Sequence, residues 1–224
     1  MKNIQKKSRH ERKFVFSGNI KLSLFNILTK SNFSFREHYL PRNVNSIYFD
    51  TKNLKYIRDN LYGISNRKKV RVRWYGDSER LNNPVLEIKI KSNFESYKKN
   101  FSLKKFNGTN IHDFDSMNKL YKYINQNFTF SEFLVPICSV NYKRIYLVSS
   151  NNLVRATIDT NIRYKKYMNF QEDFYRHHSK TVLEIKYDTV LDNYVRKNID
   201  FIKSRLSKNS KYINGAMFTS QIGI

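Results

Sequence analysis

A single cysteine, Cys138, stands in 224 residues, so neither a disulfide framework nor a cysteine-based zinc site can form. Reducing surroundings suit such a chain. With three prolines and six glycines, nothing resembling a linker divides the sequence. One domain over residues 9–218 is expected, with a flexible N-terminus at 1–8 and a tail at 219–224. No apolar run approaches the ~20 residues of a membrane helix, and MKNIQKKSRHERK has no apolar signal-peptide core. The expectation is a cytoplasmic protein that a partner or a missing segment would hold at any membrane where it works. Carboxylates are scarce too: 18 Asp and Glu face 42 Lys and Arg, a formal charge of +24.

Such a balance points to an anionic partner. The sum alone says little, because Lys, Asn, Ile, Phe and Tyr are all frequent, as AT-rich coding yields. Placement must carry the argument. Tyrosine and phenylalanine, at 16 and 17 residues, supply a real core.

Period-2 alternation marks strands at HERKFVF, VNSIYFDT, KKVRVRWYG, VLEIKIK, KKNFSLKKF, VNYKRIYLVS, LVRATIDT, NIRYKKY and TVLEIKY. Helical spacing predicts helices over Asn19–Lys30, with Ser17 as N-cap, over Ser116–Asn127 and over Val190–Leu206. A short helix or turn follows in DTKNLKYIRDNLYG. The fold class expected is α+β, antiparallel hairpins with flanking helices.

Several strands gather charge on one face. Lys69, Arg71 and Arg73 alternate with valines; Glu87, Lys89 and Lys91 alternate with Leu and Ile; Glu184 with Lys186 and Glu11 with Lys13 repeat the pattern. Same-face cations ~7 Å apart repel by roughly 2 kcal/mol at an effective dielectric near 20. An ordinary sandwich would turn this face to solvent. Strongly apolar intervening positions and amphipathic helices instead suit a closed barrel, apolar outside and charged within. Phosphate chains would supply the missing counter-charge.

In order, RHERKF, SIYFDT, KVRVRWYG, LEIKIK, NYKRIYL, VRATIDT, VLEIKY and SKYINGA resemble the VTC domain. That is the polyphosphate polymerase domain of the vacuolar transporter chaperone complex, within the CYTH-like triphosphate tunnel superfamily. The resemblance implies a closed antiparallel tunnel with a charged lumen and flanking helices. It implies Lys13, Arg71, Arg73, Lys89, Lys98, Arg144, Arg155 and Lys186 as phosphate-gripping catalytic cations. Lys69, Tyr48, Ser210, Lys211 and Lys208 would adjoin the substrate. Glu184, helped by Glu11, would hold Mn²⁺ or Mg²⁺, and the partners would be ATP and polyphosphate or pyrophosphate, with no specific nucleic acid.

One departure bears on the chemistry. Tunnel triphosphatases open on E-x-E-x-K, whereas this chain reads Arg9-His-Glu11-Arg-Lys13. A lost carboxylate disfavours water activation and favours transfer to phosphate. Two alternatives stay open: a triphosphate or nucleoside triphosphate hydrolase, and a non-catalytic polyphosphate-binding module. Plainer readings hold elsewhere. Alternation puts His10 outside the tunnel, Trp74 reads as packing with stacking on a base as its alternative, and His177 and His178 read as a solvated pair.

Overall fold

The computed structural model describes residues 9–93, 95–166 and 176–219. The expected N-terminus at 1–8 lies outside these, as does the tail beyond Thr219; so do the side chains of His177 and His178. Strands β1 (Arg9–Ser17), β2 (Arg36–Thr51), β3 (Arg67–Tyr75), β4 (Val85–Ser92) and β5 (Glu95–Ser102) fill the first half. The second half holds β6 (Leu134–Val148), β7 (Arg155–Lys166), β8 (Arg176–His178) and β9 (Lys180–Asp188). The helices are α1 (Lys21–Lys30), α2 (Lys55–Leu61), α3 (Phe114–Asn127), α4 (Asp192–Asn198) and α5 (Lys211–Phe218).

Packing divides the chain into two compact units, each assembled from three stretches. One comprises Met1–Arg42, Lys143–Ile162 and Ser179–Asn209; the other comprises Asn43–Tyr142, Arg163–His178 and Ser210–Ile224. The first unit orders its strands β1-β9-β7-β6-β2. Its core is Phe14, Leu24, Leu28, Phe33, Ile145, Ile158, Leu183, Ile185 and Val195, so α1 and α4 cover the apolar face of β1, β9 and β7. The alternation that buries Leu183 and Ile185 sends Glu184 and Lys186 the other way.

In the second unit the order is β7-β6-β2-β3-β4-β5, with β8 beside β7. Val70, Val72 and Trp74 of β3 are fully buried, as alternation requires, and the Trp74 indole donates to the Asp77 carbonyl at 2.8 Å. Trp74 is therefore a packing residue. Helix α3 buries Met117, Leu120 and Ile124, and Asp113 caps it by accepting from the Asp115 and Ser116 amides.

Three expectations need correction. Ser17 ends β1 and caps nothing: α1 starts at Lys21, and the amide of its N-cap Ile20 donates to Thr181 Oγ1 at 3.3 Å. LVRATIDT and NIRYKKY form one strand, β7, with Asn161 at the joint in the left-handed region (φ 52°). The helix expected over Val190–Leu206 stops at Asn198. Beyond it the chain runs along β1: the Ser207 amide donates to the Lys13 carbonyl at 2.8 Å and the Ser204 hydroxyl to the Val15 carbonyl at 3.2 Å. Open backbone groups on the β1 edge outweigh the helical period, since each unpaired group would cost more than a helical turn returns.

Candidate functional site

In the second unit the ladders of β3, β4 and β5 set the charged side chains in rows. Lys69 lies opposite Lys89, and Lys89 opposite Lys98. The next row is Arg71, Glu87 and Asn100, and the one after it Arg73, Val85 and Ser102. Adjacent strands are only about 4.8 Å apart, and like charges directly opposite are destabilising. Five cations thus stand in three rows that contain one carboxylate.

That carboxylate, Glu87, is 7% exposed. Arg71 reaches Glu87 Oε2 through Nε at 2.6 Å and Nη2 at 2.5 Å, Arg73 lies 3.6 Å away, and Lys98 pairs with Oε1. Burial pushes the Glu87 carboxyl up, but Arg71, Arg73 and Lys98 more than reverse this and hold it at about 2. Arg71 also donates to the Tyr48 hydroxyl at 3.0 Å. Two polar atoms beside this cluster make no hydrogen bond among the described residues: Arg73 Nε and, on the residue opposite it in β2, Ser46 Oγ. A buried donor left open beside surplus positive charge suits an incoming anion.

Helix α5 closes one side. Ser210, its N-cap, accepts from Lys69 Nζ at 3.0 Å, and the Lys211 ammonium stands 4.5 Å from the Tyr142 ring centroid. Tyr212 packs on Tyr48, centroids 5.2 Å apart, and donates to Asp50 Oδ2 at 2.9 Å. Asp50 also accepts from the amides of Thr51, Tyr56 and Ile57, tying α2 and α5 to β2 through one buried carboxylate.

The first unit carries its own cluster. The ladders set Glu11 opposite Lys186 and Lys186 opposite Arg155, then Lys13 opposite Glu184 and Glu184 opposite Thr157. Lys13 pairs with Glu11 and lies 3.6 Å from Glu184; Lys186 pairs with Glu184 and lies 3.8 Å from Glu11. Two carboxylates and two ammonium groups thus alternate. Burial raises the Glu184 carboxyl, and Lys186, Lys13 and Arg144 bring it down to about 2. Glu11 is also lowered: burial and Glu184 raise it, and Lys13 and Lys186 outweigh them. Arg144 forks onto the buried Asp159 at 2.6 and 2.7 Å. Lys208 lines a cavity of about 350 Å³ with His10, Glu11, Lys13 and Ser207. The Thr157 hydroxyl, buried beside Glu184, makes no hydrogen bond among the described residues.

No group of three or more His, Cys, Asp or Glu converges among the described residues. Glu11 and Glu184 nevertheless fit a hard divalent cation, which Mg²⁺-type sites bind through one or two carboxylates with water and phosphate completing the shell. Both are ionised, and the open Thr157 hydroxyl adds a polar neighbour.

A family model, the VTC domain, matches residues 8–219. The chain belongs to the VTC domain family. A comparison with curated proteins returns no significant match. Among solved structures, a Vibrio parahaemolyticus protein provisionally assigned as an adenylate cyclase aligns with a TM-score of 0.54 at 12% identity, covering 95% of this chain and 100% of its own. An adenylyl cyclase candidate from Hippeastrum, described as having a dominant triphosphatase activity, aligns more loosely, with a TM-score of 0.47 and 12% identity over 93% of this chain and 96% of its own. The Vibrio match shows the fold: antiparallel strands with flanking helices.

The sequence reading of this VTC domain named residues on both sets of strands. Within one unit the structure gathers Tyr48, Lys69, Arg71, Arg73, Lys89, Lys98, Ser210 and Lys211. Within the other it gathers Glu11, Lys13, Glu184 and Lys186 with Arg144, Arg155 and Lys208. It missed Glu87 as the hub of the first set and Asp159 as the anchor of Arg144. Both had a signal: Glu87 holds the same place in Leu-Glu-Ile-Lys as Glu184, and Asp159 alternates with Arg155 and Thr157 on β7. Tyr142, which lies 3.4 Å from Arg73 Nη2, had none beyond its motif.

Proposed function

We propose that this VTC domain is a metal-dependent polyphosphate polymerase that transfers the γ-phosphate of ATP to a growing polyphosphate chain. The observation that carries this reading is the cross-strand row Lys69–Lys89–Lys98, beside Arg71 and Arg73, with Glu87 as the one carboxylate in those rows. A phosphate chain repeats one negative charge per phosphate and would offset such a row along its length. Arginines supply forked donors to phosphate oxygens, and Arg73 Nε is open to receive one. Closure of the strands into a tunnel is part of the proposal.

In the reaction, an oxygen of the acceptor's terminal phosphate forms a bond to the γ-phosphorus of ATP. The bond to the β-phosphate oxygen breaks, and ADP leaves. Such transfer asks the protein for alignment and charge neutralisation more than for covalent chemistry. Arg71, Arg73, Lys89 and Lys98 would hold phosphate oxygens. Lys13, Lys186 and Arg144 would balance the charge developing near Glu184. Glu184 and Glu11 would hold Mn²⁺ or Mg²⁺, which when bound draws charge from the phosphate oxygens.

Incubation of the protein with ATP and Mn²⁺, followed by separation of long polyphosphate, ADP and free phosphate, tests the reading. Long chains formed together with ADP are expected. Free phosphate without chains would replace the polymerase with a hydrolase; tight polyphosphate binding with no turnover would leave a binding module. Glu184→Gln should abolish metal-dependent turnover, and unchanged activity would remove Glu184 from the metal-binding role.

A further inference from the structure

The first half of β2 behaves unlike the second. From Arg36 to Asn43 every residue is exposed, whereas Val44–Thr51 is buried throughout. Among the described residues no layer covers this stretch, yet it carries Tyr39 at 50% exposure and Leu40 at 80%. Around Tyr39 the side chains pack on one another, the His38 ring centroid 4.0 Å from its own. The Arg42 guanidinium stands 5.4 Å from the Tyr39 ring centroid and 5.9 Å from that of Tyr146. The two rings meet edge to face at 5.9 Å. An aromatic and a guanidinium plane, both half open to water, form a shelf that core packing does not require.

The shelf adjoins the charged cluster of the same unit through Arg144. Tyr146 and Arg144 share a face of β6, two residues apart, and the Arg144 guanidinium lies 6.0 Å from the Tyr146 ring. Arg144 is the group forked onto Asp159, and its charge reaches Glu184. A triphosphate held at Glu184, Lys13 and Lys186 would therefore carry its nucleoside toward Tyr146, Arg42 and Tyr39.

We propose that Tyr39, backed by Arg42 and Tyr146, is the stacking platform for the base of the nucleoside triphosphate donor. This rests on the phosphate-transfer reading and adds what that reading lacks, a means of telling a nucleotide from inorganic triphosphate. Every base has a π-face, so the platform selects for a base before it selects among bases. Purines, with larger rings, gain more than pyrimidines.

The test compares binding of ATP and of inorganic tripolyphosphate to wild-type protein, Tyr39→Ala and Tyr39→Phe by calorimetry. Losing the stacked ring should weaken ATP about tenfold or more, from the usual worth of base–aromatic stacking. Tripolyphosphate binding should stay within about twofold, and Tyr39→Phe should bind ATP as the wild type does. Tyr39 lies outside the core, so its variants should melt with the wild type. If wild-type protein binds both ligands and Tyr39→Ala loses neither, or loses both equally, the platform is overturned and the phosphate reading stands. If wild-type protein binds neither ligand, the phosphate reading falls and the platform falls with it.

Discussion

Glu87 and Glu184 hold the same place in two copies of Leu-Glu-Ile-Lys, and each sits buried among cations of its own unit. Removing one leaves those cations facing each other. Glu87→Gln is expected to cost about 2 kcal/mol, less than the loss of a fully buried pair because Lys98 is 42% exposed. Urea unfolding checks it, and a loss under about 0.5 kcal/mol would contradict the hub. The same contacts set an acid limit. Both carboxyls lie near 2 when folded against an ordinary 4.5. Below 4.5 the unfolded chain takes up protons that the folded one refuses, so this stabilisation is complete above about pH 4.5 and is lost as pH falls toward 2. The gap in urea midpoint between wild type and Glu87→Gln should narrow over that window; a constant gap would mean Glu87 is not the group titrating. At this scale the sequence showed the cations, because alternation with valine is plain in one strand. It hid the partners, because Glu87 meets Arg71 only once two strands pair in register.

Elements were legible where one period ruled them. Strands β3, β4 and β9 and helix α3 lie close to where alternation and helical spacing put them. Val190–Leu206 was not, because Ile199 and Ile202 reach the core without a helix while the chain after α4 satisfies β1. Nor does the sequence show that β2 is two different half-strands, one buried and one bare. Helix α5 offers an element-scale test. A Cβ added at Gly215 would meet Cys138 Sγ at 2.7 Å. Alanine for glycine inside a helix ordinarily gains about 1 kcal/mol, whereas overpacking a filled site costs about 1–3 kcal/mol. We expect the clash to win, so that Gly215→Ala lowers the urea midpoint and adding Cys138→Ala restores it. A Gly215→Ala protein as stable as the wild type would mean that α5 rides loosely on β6. Since α5 carries Ser210 and Lys211 to the cations of β3, its seating bears on binding as well as on stability.

For the molecule as a whole, a formal charge of +24 would attract any polyanion, so affinity alone separates nothing. The account claims that placement matters: a row of lysines across β3, β4 and β5, with two arginines beside it, holds phosphate, and exposed lysines outside the two charged clusters do not. Among the described residues no helix is long and apolar enough to cross a membrane; the test of placement is made on the purified protein. It is calorimetric binding of inorganic tripolyphosphate to three proteins of controlled charge. One is wild type; one carries Arg71→Gln and Lys89→Gln; one carries Lys104→Gln and Lys105→Gln, both exposed and beyond the end of β5. The last two have the same net charge. The account predicts that the first pair weakens binding more than tenfold and that the second changes it by less than twofold. Equal losses in the two pairs, or no loss in either, would contradict it and leave the charge of the protein without a site.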